Sequence, residues 1–190
     1  MKIGILAIQG DFFLQKKALD KLNVNSLFVK TSKDLFNCDS LIIPGGESTV
    51  MSLLLDKFNL RSSILDFSKD HSLFGICAGS ILMSNNSNDK RVKNLSLIDL
   101  DTVRNVWGPQ VNSFSDKILL DNEFFTKTNY FATFIRAAKF RNVSESNYVL
   151  GYYNNEPVLV RNKKHLVAAF HPEIGEDLTI FKYYINMLNE

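Results

Sequence analysis

The chain has 190 residues, of which 45% are hydrophobic and 22% are charged. These proportions are close to those of ordinary globular domains and argue against a disordered or membrane-embedded protein, and the length fits a single domain over residues 1–190. The 22 Lys and Arg residues nearly balance the 20 Asp and Glu residues, for a net charge of +2. Such a balance provides no broad attraction to nucleic acid or anionic lipid, so we expect a small molecule or a protein as the partner.

Secretion, membrane insertion and metal binding are not expected either. The apolar run at residues 3–8 is too short for the core of a signal peptide, and no stretch approaches the ~20 apolar residues of a membrane-spanning helix. The two cysteines, Cys38 and Cys77, lack metal-ligand spacing, so we expect no metal site. They can form at most one disulfide, which favours a reducing, cytoplasmic compartment.

Short apolar runs alternate with longer amphipathic runs in the first half of the chain. The predicted strands are residues 2–8, 25–30, 40–43 and 72–75, and the predicted helices are 11–22 with Asp11 as its cap, a stretch from about 49, and 60–69. This alternation is typical of strands and helices around a parallel sheet. We therefore expect a three-layer α/β fold in which helices flank an open, mostly parallel sheet.

The second half is rich in β-strand segments separated by Asn, Gly and Pro. The predicted strands are residues 95–104, 111–120, 130–136, 148–153, 157–161 and 165–170, and a final amphipathic helix covers 178–188. Some of these strands are expected to be antiparallel. Residues 85–94 are rich in Asn, Ser and charged side chains, and they are the best candidate for a mobile surface loop.

The run Gly75-Ile76-Cys77-Ala78-Gly79 has the G-x-nucleophile-x-G form of a nucleophile elbow. A sharp turn from strand to helix crowds the backbone, so side chains at both glycine positions would clash. A helix beginning after Cys77 would favour the thiolate, and the Ala78 amide would point toward a substrate oxyanion. The alternative is a buried cysteine in a glycine-rich turn. Cys38 lacks flanking glycines, and we expect it to have a packing role.

A cysteine nucleophile needs a base, and the histidines are His71, His165 and His171. His71 precedes the strand that leads to Cys77, about 20 Å away. His165 opens the last predicted strand, whereas His171 follows it, at the carboxyl end where reactive groups gather in open α/β sheets. A proline then stiffens the backbone and Glu173 can orient the imidazole. The alternative is a strand-end histidine beside a solvated glutamate.

The elbow and the His-Pro-Glu run together resemble class I glutamine amidotransferases and, more closely, the glutaminase subunits of pyridoxal 5′-phosphate synthase. The resemblance extends from Met1 to the last helix. It rests on Ile8-Gln9-Gly10, Ile43-Pro44-Gly45-Gly46-Glu47-Ser48-Thr49, Gly75-Ile76-Cys77-Ala78-Gly79, Arg104-Asn105, Gly108 with Gln110, Ser113-Phe114, Ile135-Arg136 and His171-Pro172-Glu173. It implies a flavodoxin-like amidotransferase fold and a Cys77, His171 and Glu173 triad that hydrolyses glutamine through a cysteine thioester, without a cofactor.

The resemblance also implies which residues bind L-glutamine. These are Gly46, Glu47, Ser48, Arg104, Ile135 and Arg136. Such a set suits an amino acid substrate, because its carboxylate can be gripped by arginine and a glycine-rich turn lets the backbone approach closely. Without the resemblance, residues 44–49 would be an ordinary turn with a helix cap, and the two arginines would be solvated strand residues.

The sequence also points to three residues, Gln9, Gly10 and Ala78, that stabilise the oxyanion. The peptide group of Gln9-Gly10 is expected to shape this site together with the amide of Ala78, although a strand-ending turn is the alternative for Gln9-Gly10.

The resemblance implies that the ammonia passes to a separate synthase subunit in a hetero-oligomer. A glutaminase subunit serving another acceptor, a non-catalytic subunit with this fold and a cysteine hydrolase with another substrate are the alternatives.

Two features depart from the family pattern. Family members have Arg-Ala-Pro where this chain has Arg136-Ala137-Ala138, so the shape of that loop is open. The first helix, residues 11–22, contains Phe12-Phe13-Leu14 and Lys16-Lys17, unlike the usual family sequence. If this helix helps to dock the partner, its interface is specific to this chain.

Overall fold

A nine-stranded mixed sheet forms the centre of the protein in a computed structural model that describes residues 1–104 and 113–189. The motif residues Asn105, Gly108 and Gln110 and the start of the strand predicted at 111–120 lie outside the described residues. In chain order the elements are β1 (Lys2–Leu6), α1 (Phe12–Lys21), β2 (Asn25–Val29), α2 (Ser32–Leu35), β3 (Ser40–Ile43), α3 (Ser48–Lys57), α4 (Leu60–Phe67), β4 (Ser72–Ile76), α5 (Ala78–Met83), β5 (Asn86–Ser87), β6 (Asp101–Val103), β7 (Ser113–Leu120), β8 (Asn129–Ile135), β9 (Lys139–Arg141), β10 (Tyr148–Tyr153), β11 (Glu156–Arg161), β12 (Leu166–Ala168) and α6 (Thr179–Met187).

The first part of the large sheet is parallel, in the order β2-β1-β3-β4-β12. This is the strand order of a doubly wound, flavodoxin-like sheet. Every residue of β3 and of β12 is buried, as expected for central strands covered on both faces. The predicted α/β fold class is confirmed. Because these strands are parallel, the carboxyl ends of β1, β3, β4 and β12 lie at one edge, where ligands bind in such sheets.

The remaining strands extend the sheet in the order β12-β11-β10-β7-β8, and each of these pairs is antiparallel. The expectation of antiparallel strands in the second half is therefore confirmed. The end of β8 reaches the parallel part, since the His171 amide donates a hydrogen bond of 2.8 Å to the Thr133 carbonyl oxygen. A second, three-stranded sheet in the described residues has the order β5-β6-β9.

The strand predicted at residues 95–104 is wrong except for β6. Leu95 and Ile98 are buried without strand pairing. The reason is that this segment wraps around the end of α5, where the amide of Leu95 donates to the Leu82 carbonyl oxygen at 2.7 Å and that of Ile98 to Met83 at 3.2 Å. Burial therefore produced the apolar pattern without a strand.

Three short elements were not predicted. Helix α2 begins at a capping box in which Thr31 and Asp34 bond each other's backbone amides. Strands β5 and β9 pair with β6 in the small sheet. Each of the three is only two to four residues long, which is too short for periodicity to reveal.

Hydrogen bonds anchor the segment 85–94, which the sequence indicated as a mobile loop. The Lys93 amide donates to the Ser52 hydroxyl at 2.9 Å, and Arg61 donates to the Lys93 carbonyl oxygen at 2.7 Å. The Asn94 side chain bonds the Ile81 carbonyl oxygen at 2.7 Å. This polar sequence therefore joins α3, α4 and α5, and its hydrophilic composition reflects these contacts.

Helix α6 packs against the centre of the sheet through its aromatic face. Phe181 and Tyr184 are fully buried, and both rings contact Phe74 of β4 at centroid distances of 6.0 and 5.1 Å. The Tyr184 hydroxyl donates to the Ser72 carbonyl oxygen at 3.1 Å, which satisfies its buried polar group. Within residues 1–104 and 113–189, no helix has the length and apolar content required to cross a bilayer.

His165 is buried at the start of β12, at the opposite end of the strand from His171. Its Nδ1 accepts a hydrogen bond of 3.2 Å from the Leu73 amide, so the ring is neutral at that nitrogen. Burial, assisted by the charge of Lys164, lowers the pKa of His165 to about 4. This histidine therefore holds two strands together.

We expect protonation of His165 to destabilise the protein in acid. The neutral ring is favoured in the folded state, so the stabilisation is complete above the ordinary pKa of 6.5 and is lost as pH falls toward about 4. Between these values His165 contributes about 1.4 kcal/mol per pH unit to the fall in the free energy of unfolding. Urea denaturation of wild type and His165→Gln at pH 7 and pH 5 measures this contribution to the free energy of unfolding. The same pH dependence in both proteins would contradict this expectation.

Candidate active site

A cavity of about 230 Å³ opens at the carboxyl edge of the parallel strands. It is lined by Asp11, Gly45, Gly46, Glu47, Ser48, Cys77, Ala78, Ile81, Arg104, Ile135, Arg136 and His171. Nine of these are site residues predicted from the sequence; Asp11, Gly45 and Ile81 are the other three. The remaining predicted residues, Gln9, Gly10 and Glu173, lie behind the lining and support it.

Cys77 sits on a sharp turn between β4 and α5. Its backbone has φ 48° and ψ −104°, a conformation that residues with side chains rarely adopt. A Cβ atom at position 75 would lie 2.8 Å from the Gly79 carbonyl oxygen, and one at position 79 would overlap the Ile43 carbonyl oxygen. The predicted clashes at both glycines are therefore confirmed. The turn brings the Cys77 sulfur to the cavity, 3.6 Å from the Ile135 carbonyl oxygen.

His171 follows β12 and reaches the same cavity. Its Nδ1 lies 2.7 Å from Oε1 of Glu173, whose side chain is only 1% exposed. On another side the ring packs against Gly45, where a Cβ atom would lie 2.5 Å from Cε1. The imidazole is thus held between a glycine backbone and a buried carboxylate, which determines its orientation.

The environment of His171 favours its protonated form. Burial opposes the charge, but interaction with the Cys77 side chain and with the Glu173 carboxylate outweighs burial and raises the pKa of His171 to about 10. The protonated imidazole lies beside the Cys77 sulfur, which is the candidate nucleophile. The pair can therefore supply both a nucleophile and a proton donor.

Gln9 and Gly10 support the turn after β3. The Gln9 side-chain oxygen accepts a hydrogen bond of 2.9 Å from the Glu47 amide. Gly10 has φ +93°, and a Cβ atom there would overlap the Gly45 carbonyl oxygen. Only glycine fits at this contact. Both residues therefore hold the turn in place from behind, and their predicted part in an oxyanion site stays a prediction.

Charged side chains form the rim of the cavity. The Glu47 carboxylate accepts a hydrogen bond of 2.9 Å from Nη2 of Arg104, and Nη1 of Arg136 lies 4.0 Å from its other oxygen. Arg136 has φ 44° and a side chain that is 67% exposed, whereas that of Arg104 is 20% exposed. One carboxylate and two guanidinium groups thus converge beside Cys77.

Two charged residues at the site were not predicted from the sequence. Asp89 accepts a hydrogen bond of 2.9 Å from Nη1 of Arg104. It is brought there by β5, which pairs in parallel with β6 so that residues 88 and 89 continue alongside Arg104. Asp11 is at the cap position of α1, but its side chain makes no capping hydrogen bond and it lines the cavity. No local sequence pattern predicts that either residue lies at the site, because both placements depend on how distant segments pair.

A family model described as the SNO glutamine amidotransferase family matches residues 5–190. The chain belongs to the SNO glutamine amidotransferase family. Members named pyridoxal 5′-phosphate synthase subunit PdxT are similar over the full length: that of Francisella philomiragia is 42% identical over 98% of this chain and 99% of its own, and that of Thermosipho africanus is 41% identical over 100% of both. The resemblance inferred from the motifs is confirmed.

Solved structures agree with the family assignment. A crystal structure of a glutamine amidotransferase superimposes with a TM-score of 0.91 at 31% identity, covering 99% of each chain. The PurLQS structure from Thermotoga maritima has a TM-score of 0.73 at 14% identity, with 98% of each chain covered. The second likeness concerns the fold alone.

We expect Glu173→Gln to lower the pKa of His171, because the neutral amide no longer stabilises the imidazolium. The midpoint should fall by roughly 1–3 pH units, measured from the imidazole signals by NMR. Glu176→Gln is the matched control, since Glu176 is exposed and pairs with Lys21 instead. A midpoint that does not move in Glu173→Gln would show that the carboxylate has no influence on the ring.

Proposed function

We propose that this chain is the glutaminase subunit of a pyridoxal 5′-phosphate synthase and hydrolyses L-glutamine to L-glutamate and ammonia. One observation carries the proposal: Cys77 on its strained turn shares a cavity with His171, whose ring is bound to Glu173 at 2.7 Å. Family membership and the names of the full-length relatives support the substrate and the pathway.

The reaction begins with attack of the Cys77 thiolate on the side-chain amide carbon of glutamine. The Ala78 amide stabilises the oxyanion, and the Gln9-Gly10 peptide shapes that site from behind the glycine turn. Protonated His171 donates its proton to the nitrogen as the C–N bond breaks, which releases ammonia and leaves a glutamyl thioester. Neutral His171 then takes a proton from water, which cleaves the thioester and regenerates Cys77. Glu173 keeps the imidazole oriented throughout.

The charged rim and the glycine turn bind the α-carboxylate and α-ammonium groups of glutamine. Arg104 and Arg136 bind the α-carboxylate, and Glu47 accepts the α-ammonium group. Without substrate these groups pair with one another. Gly46, Ser48 and Ile135 complete the site; Gly46 and Ile135 provide backbone groups close to the elbow.

The ammonia passes to a synthase subunit in a cytoplasmic hetero-oligomer, in which this chain is a single glutaminase domain. No cofactor takes part in its own steps. A cysteine hydrolase with an unrelated substrate is disfavoured, because the chain belongs to a glutamine amidotransferase family and Glu47, Arg104 and Arg136 form a site for an amino acid.

We expect Cys77→Ala to reduce glutamine hydrolysis by at least about 10³-fold in the presence of the synthase subunit, because the nucleophile is lost. Cys38→Ala is the matched control. Cys38 is buried and its thiol lies 3.4 Å from the Asp34 carbonyl oxygen, away from the cavity lining. Glutamate release measured in a coupled assay decides the matter, and an active Cys77→Ala variant would refute the mechanism.

The isolated chain should be a poor glutaminase, because hydrolysis without an ammonia acceptor would waste glutamine. The pairing of Glu47 with Arg104 agrees with this, since the groups that bind substrate are occupied by each other. We expect kcat/KM to rise by at least about 10-fold on adding the synthase subunit, equivalent to about 1.4 kcal/mol of coupling. Equal rates with and without that subunit would be the contrary result.

A further inference from the structure

Arg104 lies between two carboxylates. Its Nη2 donates to Oε1 of Glu47 at 2.9 Å, and its Nη1 donates to Oδ2 of Asp89 at 2.9 Å. Glu47 lines the cavity, whereas Asp89 lies behind the guanidinium, in a smaller hollow beside Asn88 and Arg91. Arg104 is therefore bound by one carboxylate that lines the cavity and by another that lies outside it.

Asp89 is itself held firmly. Arg91 donates from Nε to Oδ1 at 2.9 Å and from Nη2 to Oδ2 at 2.6 Å, and the Arg91 amide donates to Oδ1 at 3.1 Å. The hydrogen bonds from Arg91 and the charge of Arg104 lower the pKa of Asp89 below its ordinary value. Asp89 is therefore a fixed anion, with a side chain that is 15% exposed.

The backbone of Arg104 is anchored by the same segment. Its amide donates to the Asn88 side-chain oxygen at 2.9 Å, which continues the pairing of Asn86–Ser87 with β6. Asn88 thus locates the backbone and Asp89 locates the guanidinium. Because an Arg side chain loses rotamer entropy when it is ordered, these contacts reduce the free-energy cost of ordering Arg104 when a carboxylate binds.

We propose that Asp89 is a positioning residue that holds the Arg104 guanidinium ready for the α-carboxylate of glutamine. This inference rests on the proposed function. When glutamine binds, Glu47 turns to the substrate ammonium and gives up Arg104. Asp89 is then the carboxylate that stays on Arg104, so the guanidinium keeps its place while its Nη2 changes partners.

The purely structural alternative is that Asp89 only stabilises the segment 85–94. Asp56 separates the two possibilities. Its carboxylate anchors the same segment through Lys93 at 2.8 Å and pairs with Arg61 at 2.5 Å, but it does not touch Arg104. Asp56→Asn removes the same charge and loosens the same segment, which makes it the matched control for Asp89→Asn.

The test measures glutamine hydrolysis by the full chain with its synthase subunit. We expect Asp89→Asn to raise KM about 5–10-fold while kcat stays within about 2-fold, because the substrate must now order Arg104 itself. Asp56→Asn should change neither constant. In an Arg104→Ala background, adding Asp89→Asn should have no further effect, because the residue through which Asp89 acts is absent. An unchanged KM in Asp89→Asn, or an equal rise in Asp56→Asn, would overturn the proposal.

Covalent labelling of Cys77, with the synthase subunit present, provides a second measurement. A diazoketone analogue of glutamine carries the α-carboxylate, whereas iodoacetamide does not. Asp89→Asn should slow labelling by the analogue about 5–10-fold and leave labelling by iodoacetamide unchanged. Equal slowing of both reagents would show a disturbed elbow and overturn the positioning role.

Failure of this inference and failure of the proposed function give different results. A wild-type chain that releases no glutamate with its synthase subunit rejects the proposed function, whereas an active wild type with an unaffected Asp89→Asn rejects the positioning role alone.

Discussion

The close packing of α5 against the end of β3 is the constraint on which the site depends. Gly79 lies so near the Ile43 carbonyl oxygen that no side chain fits between them. This contact lets α5 begin directly after β4, and Cys77 takes up the positive φ of the sharp turn. The neighbouring strands β3 and β12 end at the same edge, so the glycine turn and His171 arrive beside the sulfur.

The two histidines that flank β12 show how environment determines charge. His165 accepts a hydrogen bond from a backbone amide and has no carboxylate partner in the described structure, so burial lowers its pKa to about 4. His171 is partly buried, with a side chain that is 12% exposed, but Glu173 and Cys77 act on it and its pKa rises to about 10. One end of the strand therefore carries a neutral structural ring and the other a cation suited to proton transfer.

Hydrogen bonds and ion pairs connect the rim of the cavity to the helices α3 and α4. Arg104 joins Glu47 to Asp89, and the segment that carries Asp89 is attached to α3 and α4 through Lys93. Glu47 at the rim of the cavity and this segment are thus connected by hydrogen bonds of normal length. A segment rich in Asn, Ser and charged side chains still has a defined place, because hydrogen bonds and the buried Val92 anchor it.

The sequence by itself determined the fold class, the elbow and the strand-end His171, because these follow from local rules: alternating periodicity, glycines at a crowded turn and the edge of a parallel sheet. It also indicated, through the family motifs, that Glu47, Arg104 and Arg136 belong together. Only the tertiary structure decided that Asp89 holds Arg104 and that the His171 amide bonds Thr133 of β8. Those contacts depend on strand register and long-range pairing, and a one-residue change of register would separate them without altering any local pattern.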